Sequence, residues 1–455
     1  MDLFNHYLPW TKKRIENVAP SVWDTLFSPC DSVIQDQHVP ITNLMILLHQ
    51  KIKGEVRLTE FKARANLVTW FDMYGRSIFN IDQLNSVLDE ASQPQPVLRS
   101  NGVNLVGYSR GRLGLGEDIR SYAALLDHVG ENYSVVHIGH PSDDPVNHKH
   151  VNENPVTYDR SIFFLNALEL KKCIAIYDDF SSSFGRSVAV PPWELTESPS
   201  EWREILRNFE QVWGISHFTT AALEQVHENA RYSAPVVLSP QKKAIVNKRN
   251  TYKPFRFLFI FDAASFIARK NPIAVIEAFQ LAFARFENVE LVIKVSNVTN
   301  SETWSTVERS AASDSRIKLV SSLLTDKELD ALWSSADCYV SLHRSEGLGR
   351  TIAEAILRKI PVIATNWSGS VDLFPTNYPF LVSYTLVALA EGDYPYYNNQ
   401  QWAAPSVEDA AEKMQRMAVN KHGDDTITAV NEAYDHVSQT FGFDNLSRPI
   451  KGWLL

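Results

Sequence analysis

The feature that most narrows the fold is an alternation of two periods, met twice along the chain. Between residues 255 and 365, short apolar runs alternate with segments whose apolar residues recur every three or four positions. Strands are expected at residues 255–261, 289–295, 317–320, 338–342 and 361–365, with helices at 272–285, 326–334 and 351–358. An earlier round places strands at 103–108, 134–138 and 173–177, helices at 117–129 and 201–213, and a further strand around 211–216. Strands alternating with helices build parallel sheets covered on both faces. The rounds are separated by SPQKKAIVNKRNTYKP at 239–254, a basic, polar stretch read as an interdomain connection. The expected architecture is therefore α/β, with two Rossmann-like domains facing a cleft. Ligands in such sheets bind beyond the carboxyl ends of the strands.

The first hundred residues carry no strand-like run. Helices are expected at 42–52 and 58–74, and the two prolines of Ser92-Gln-Pro-Gln-Pro-Val mark a linker. The expected domains are a helical N-terminal extension at 1–100, an N-terminal Rossmann-like domain at 101–250, a C-terminal one at 251–425, and a C-terminal helix at 426–455, with helices at 409–418 and 426–441. At 455 residues, each domain can bury its own core. The 44 Lys and Arg against 53 Asp and Glu give a net charge of −9. That balance argues against a broad nucleic-acid-binding surface but leaves room for one basic cleft. Cys30, Cys173 and Cys338 form neither a disulfide framework nor a zinc pattern, which suits a reducing compartment. The most apolar stretch, 255–268, is interrupted by Arg256 and Asp262 and is too short to span a membrane. The chain also starts without a signal-peptide core, so a cytoplasmic location is expected.

The chemistry concentrates in Ser341-Leu-His-Arg-Ser-Glu-Gly-Leu-Gly-Arg-Thr-Ile-Ala-Glu-Ala. A buried strand ends there in a polar loop that opens a helix. Free N–H groups and the dipole at a helix start suit a phosphate. Gly347 and Gly349 let the backbone approach closely. Glu346 precedes the helix, and Glu354 lies about one turn inside it. The competing reading is a plain strand–loop–helix turn with a solvated glutamate.

This stretch resembles the retaining glycosyltransferases of the GT-B fold, family GT4. Their signature is a glutamate, seven residues and a second glutamate, the spacing of Glu346 and Glu354, here set between Ser-Glu-Gly-Leu-Gly and Pro361-Val-Ile-Ala-Thr-Asn-Trp-Ser-Gly. The resemblance implies that Glu346 lies beside the transferred sugar and that Glu354 holds the nucleotide ribose. Asp262-Ala-Ala-Ser-Phe-Ile-Ala-Arg-Lys-Asn-Pro looks like the family's first loop of the C-terminal domain, which makes Arg269 and Lys270 the basic pair that meets the donor diphosphate. Fixed cations there would stabilise a leaving group that gains negative charge; an isolated Arg-Lys pair is otherwise usually solvated. Many family members carry an arginine about six residues before the lysine. Ala264 stands there, and Arg350 is the expected replacement. Donor-binding residues on this reading are Arg269, Lys270, Gly347, Gly349, Arg350, Thr351 and Glu354, with Glu346 and Lys270 catalytic.

Gly107-Tyr-Ser-Arg-Gly-Arg-Leu-Gly-Leu-Gly resembles the family's glycine-rich first loop. There Gly114 and Gly116 would meet donor phosphates or acceptor; a plain tight turn fits equally. Pro192-Trp-Glu-Leu and Val212-Trp-Gly-Ile-Ser-His-Phe resemble segments of bacterial polysaccharide members, as do Trp367-Ser-Gly-Ser and Gln401-Trp-Ala-Ala-Pro. They make Glu194 and His217 acceptor-side candidates, for contact with the acceptor or the donor sugar, against a structural histidine at 217. The resemblance implies a C-terminal helix crossing back to the N-terminal domain, and an acceptor domain at 101–250.

No Asp-x-Asp occurs, so a metal-independent site is expected, with no cofactor beyond a nucleotide diphosphate sugar as co-substrate. Asp143-Asp144, Asp178-Asp179 and Asp424-Asp425 read as loop or cap residues. The implied activity is hexosyl or deoxyhexosyl transfer to a glycan acceptor in surface polysaccharide synthesis, such as lipopolysaccharide O-antigen, capsule or exopolysaccharide; a lipid-linked acceptor is what the subgroup suggests. No nucleic-acid partner is expected. Trp10 with Lys12, Lys13 and Arg14 supports either peripheral membrane contact or a basic turn on a solvated helix. The alternatives are a catalytically silent scaffold of the same fold and a GT-B-fold epimerase.

Overall fold

A computed structural model of the protein describes residues 25–36, 40–55, 57–71, 75, 98–111, 113–138, 156–176, 184–238, 253–283, 288–299 and 301–454. The basic turn at 12–14, the proline linker at 92–97, most of the 239–254 connection, Asp143-Asp144 and Asp178-Asp179 lie outside them. The chain forms two compact units, Met1–Pro191 with Glu201–Val212, and Pro192–Ser200 with Trp213–Leu455.

The first unit opens with the helices Asn43–Lys53 and Phe61–Trp70, inside the two expected helical stretches. Thr42 starts the former by accepting from the Met45 N–H. Leu26, Ile41, Leu44, Met45, Leu48, Leu67 and Phe71 close a small core between them. Arg64, buried on that core, is tied to Asp36 and to the carbonyls of Leu58 and Thr59.

The first sheet comprises β1 (Val103–Gly107), β2 (Tyr133–His137), β3 (Arg160–Phe164), β4 (Arg186–Ala189), β5 (Gln211–Gly214) and β6 (Ala230–Tyr232), in the order β2-β1-β3-β4-β5-β6. β1 pairs in parallel with β2 and β3, β3 with β4, and β4 with β5. Two expectations fail here. Residues 173–176 are not a strand; they end the helix Ala167–Ile176. Asn166 starts that helix by accepting from the Glu169 N–H, and a short apolar run cannot by itself distinguish strand from helix. The helix expected at 201–213 shrinks to Trp202–Leu206. Asn208 ends it by donating to the carbonyls of Glu204 and Ile205, and this releases the chain into β5. β3, β4 and β6 were not anticipated.

The second unit contains β7 (Phe255–Asp262), β8 (Val289–Ser296), β9 (Ile317–Val320), β10 (Cys338–Ser341), β11 (Val362–Thr365) and β12 (Leu381–Val382), in the order β12-β11-β10-β7-β8-β9. All five pairings are parallel. The five expected strands are present to within a residue at either end. Phe255, Phe257 and Phe259 of β7 are buried together with Phe279 of the helix Pro272–Ala282. Each such ring contributes on the order of 2–3 kcal/mol. The helix Glu302–Ala312 and the antiparallel hairpin β13 (Tyr384–Ala388) and β14 (Gln401–Pro405) were not anticipated. The chain ends in the helices Val407–Asn420, Asp424–Thr440 and Phe443–Leu454; Trp453 of the last meets Trp213 edge-on at 5.6 Å. Among the described residues, no helix is long and apolar enough to cross a membrane.

The second sheet runs β7-β8-β9 in one direction and β10-β11-β12 in the other, so its order reverses between β7 and β10. A crevice for ligands opens beyond the strand ends at such a reversal.

Candidate functional site

The loops that leave β7 and β10 meet at this reversal. β7 ends at Asp262, whose carboxylate accepts from the Ala264 N–H and starts the turn Ala263–Ser265. One short helix, Ile267–Lys270, follows and carries Arg269 and Lys270. Three bonds stitch its end to the β10 loop: Arg344 N–H to Arg269 O at 2.8 Å, Asn271 Nδ2 to Leu342 O at 2.9 Å, and Arg269 Nη1 to Ser345 O at 2.8 Å.

Glu346 sits between the two cations. Lys270 Nζ bonds Oε1, and Arg269 Nη1 lies 3.1 Å from Oε2. Arg269 is 3% exposed and the Lys270 side chain 16%, so the basic pair is no solvated surface feature. A buried carboxylate without partners would be protonated at neutral pH. Burial does push Glu346 upward, but Lys270 and Arg269 outweigh it and hold the group down at about 2. Burial in turn pulls Lys270 below its ordinary value, with Glu346 opposing. The sequence pairs Arg269 and Lys270 with Glu346 only through the topology of the sheet.

The glutamate is fixed from behind. Its N–H donates to Ser368 Oγ at 2.8 Å, and its carbonyl accepts from Gly369 N–H at 2.9 Å. His343 is fully buried, with Nδ1 3.0 Å from Ser341 Oγ and Nε2 2.9 Å from Ser370 Oγ. Burial pushes this imidazole down to about 4, so it is neutral at pH 7. The sequence reading missed His343, Ser368 and Ser370. The Ser-x-His spacing at the strand end was the available signal for the first.

Past Glu346, Gly347 and Gly349 lead into the helix Arg350–Leu357. Gly349 has φ +87°, and a β-carbon there would sit 3.0 Å from Ile352 Cδ1 and 3.2 Å from Ser370 Cβ. Thr351 uses its hydroxyl to accept from Tyr339 at 2.7 Å, which ties the helix start to β10. As a first-turn residue its N–H has no partner within the helix. Arg350 and Glu354 are both half-buried on this helix.

Glu194 also belongs to the second unit. Its Oε1 lies 3.8 Å from Arg269 Nη2, and its Oε2 accepts from the Tyr394 hydroxyl. Its carbonyl accepts from Ser345 Oγ, and Gln400 bonds Glu197 through both backbone groups. Tyr394 was missed, although the aromatic run Tyr394-Pro-Tyr-Tyr was its visible trace. His217 opens the helix His217–Glu224, with Asp372 Oδ2 2.7 Å from its N–H and 3.0 Å from its Nδ1. The ring stacks on Tyr232 at 4.2 Å and its side chain is 73% exposed, while the Asp372 bonds are those of a histidine held in place at a helix start. Gly114 and Gly116 lie in the first unit, at the start of the helix Gly114–Val129. A β-carbon on Gly114 would meet nothing, whereas one on Gly116 would overlap the Gly111 carbonyl.

Residues 246–382 match the family model of glycosyl transferases group 1. No curated protein matches the chain. Among solved structures, a glycosyltransferase from Rickettsia africae is similar at 14% identity with a TM-score of 0.58, covering 78% of this chain and 98% of that one. Alr3699/HepE from Anabaena, solved with UDP and glucose, gives 13% identity and a TM-score of 0.56 over 78% and 99%. The lipopolysaccharide outer core galactosyltransferase WaaB gives 11% and 0.51 over 77% and 99%. At these identities the likeness establishes the fold, which is GT-B.

Proposed function

We propose that the protein is a retaining, GT4-type glycosyltransferase that moves a hexose or deoxyhexose from a nucleotide diphosphate sugar to a glycan acceptor in surface polysaccharide synthesis. The observation that carries this reading is the buried triad of Arg269, Lys270 and Glu346 at the sheet reversal, inside the segment that matches the group 1 family. Arg269 and Lys270 meet the donor diphosphate, and the first-turn amides of the helix Arg350–Leu357 take the remaining phosphate oxygens. Arg350 supplies the further cation that Ala264 cannot. Charge builds on the diphosphate as the glycosidic bond breaks, and preformed donors favour that state over the ground state. Glu346 lies beside the departing sugar, where its negative charge stabilises positive character at the anomeric carbon. Glu354 takes the ribose hydroxyls. The leaving phosphate accepts the acceptor's proton, so departure and attack share one face and the anomeric configuration is kept. Because the protein's own cations neutralise the diphosphate, the reaction calls for no metal or other cofactor. Two relatives in fold, one solved with UDP and glucose and one named a lipopolysaccharide outer core galactosyltransferase, are in keeping with the substrate classes named. The acceptor is a lipid-linked glycan met at the cytoplasmic membrane surface.

Thermal-shift titration with UDP, GDP and dTDP tests the reading. The matching nucleotide at a hundred times its Kd adds about 2.7 kcal/mol to stability. The donor sugar of that nucleotide should then be transferred, with the product anomer fixed by NMR. No shift with any nucleotide, together with no donor turnover, would sink the proposal.

A further inference from the structure

A row of four aromatic rings lies beside Arg269. Phe266 and Tyr394 have centroids 4.7 Å apart, Tyr394 and Trp193 6.0 Å, and Trp193 and Tyr396 6.2 Å. The Arg269 Cζ stands 5.9 Å from the Tyr394 ring. Trp193 and Tyr394 are buried, whereas the ends of the row, Phe266 and Tyr396, are 38% and 47% exposed. Both end residues have left-handed backbones, with φ +65° and +58°. That conformation is unfavourable for an L-residue with a bulky side chain, and it persists only where the surroundings enforce it. Strain that holds two large rings partly in water does not serve a core.

Glu194 sits within this row. Among the described residues its carboxylate accepts one hydrogen bond, from the Tyr394 hydroxyl. An ionised carboxylate has about four acceptor positions, so capacity remains. Tyr394 stays a donor, because burial and the Glu194 charge keep its hydroxyl well above its ordinary value. The combination is an apolar wall with one fixed acceptor, the composition of a small-molecule site.

We propose that Trp193, Glu194, Phe266, Tyr394 and Tyr396 form a subsite for a neutral pyranose ring of the glycan acceptor. A pyranose offers C–H groups to the rings and hydroxyl donors to Glu194. A nucleobase also stacks on aromatic rings, but it stands a whole ribose away from its diphosphate. The row begins beside Arg269 itself, within reach of an acceptor sugar that meets the donor at its diphosphate end. The identity of the ligand as an acceptor sugar rests on the transferase reading.

Saturation-transfer NMR on the intact protein tests the subsite. The probes are the methyl α-glycosides of glucose, galactose, mannose and rhamnose, each with and without the nucleotide that raises the Tm. At least one glycoside should receive saturation on its ring C–H protons. Tyr396→Ala and Glu194→Gln should each weaken its binding at least fivefold, while the nucleotide-induced shift in Tm survives. Tyr396 lies on an exposed turn, so Tyr396→Ala remains informative if Glu194→Gln unfolds. The subsite is overturned if no glycoside binds the wild type, if both variants bind as well as the wild type, or if uridine, guanosine or thymidine displaces the glycoside. Glycoside binding without any nucleotide shift would support the subsite and count against the transferase reading. A nucleotide shift without glycoside binding would do the reverse.

Discussion

The glycine-bearing turns after β1 and after β10 each connect a strand to a helix, and they handle charge in opposite ways. After β1, Arg120 donates to the carbonyls of Ser109 and Gly111 and pairs with Glu117, three residues before it on the same helix. After β10, Arg269 likewise donates to a loop carbonyl, that of Ser345, but its carboxylate partner Glu346 belongs to another strand's loop, and Lys270 adds a second cation. The first turn settles its charges locally. The second gathers three charges that only the sheet order brings together and keeps them out of water. A glycine-rich turn therefore reports topology, while chemistry is reported by charges that the topology, rather than the neighbouring sequence, has paired.

The widest separation between the turns should come from removing each carboxylate. Glu346→Gln is expected to lower turnover by a factor on the order of 10²–10³, the scale of one lost transition-state group. Glu346→Ala also removes the carboxylate that Lys270 and Arg269 share, leaving Glu194 at 3.8 Å as the remaining acidic neighbour of Arg269, and should cost about 3 kcal/mol of stability. Glu117→Ala should cost about 1 kcal/mol or less, because Glu117 is half-exposed and Arg120 keeps its carbonyl partners. Steady-state turnover and urea midpoints measure both; full activity in Glu346→Gln would erase the distinction.

Acid should sharpen the contrast next. In the unfolded chain His343 protonates near 6.5, and in the folded protein only at about 4. Between those values the unfolded chain binds more protons, so stability rises with pH and is lost as the pH falls. The loss reaches about 3 kcal/mol by pH 4. Glu346, ordinarily near 4.5 and held at about 2, extends the loss below that. Urea denaturation of His343→Asn at pH 7, 5.5 and 4.5 should show a flatter dependence than the wild type. An unchanged slope would place the acid sensitivity elsewhere.

What was legible in the sequence follows the same division. The second sheet could be read because its strands are buried on both faces and bounded by clear helical periods. Glu346 and Lys270 could be read because their neighbours form a pattern. The first sheet was read less well: at 173–176 an apolar run at a helix end imitates a strand, and the stop at Asn208 depends on a side chain rather than a period. Tyr394 left only an aromatic run as its trace, because it lies between two short strands, in residues 389–400, where neither period holds. It matters only through Glu194, 200 positions away. His343 reads as one more polar loop residue until Ser370 closes over its Nε2.

The smallest effects lie in the glycines. Gly349→Ala places a β-carbon on a left-handed residue, 3.0 Å from Ile352 Cδ1, and should cost about 1–2 kcal/mol while displacing the helix start proposed to hold the donor phosphate. At Gly114 a β-carbon meets open space in the first turn of a helix. Gly114→Ala should therefore stabilise the protein by roughly 0.4–1 kcal/mol, mainly by restricting the unfolded chain. Repeating the nucleotide thermal shift on this variant decides what Gly114 is for. A shift equal to the wild type's makes it an ordinary turn glycine and leaves the phosphates to the β10 loop alone. A lost shift, in a variant that is otherwise more stable, means that a ligand approaches the bare backbone there, and the two turns share the donor.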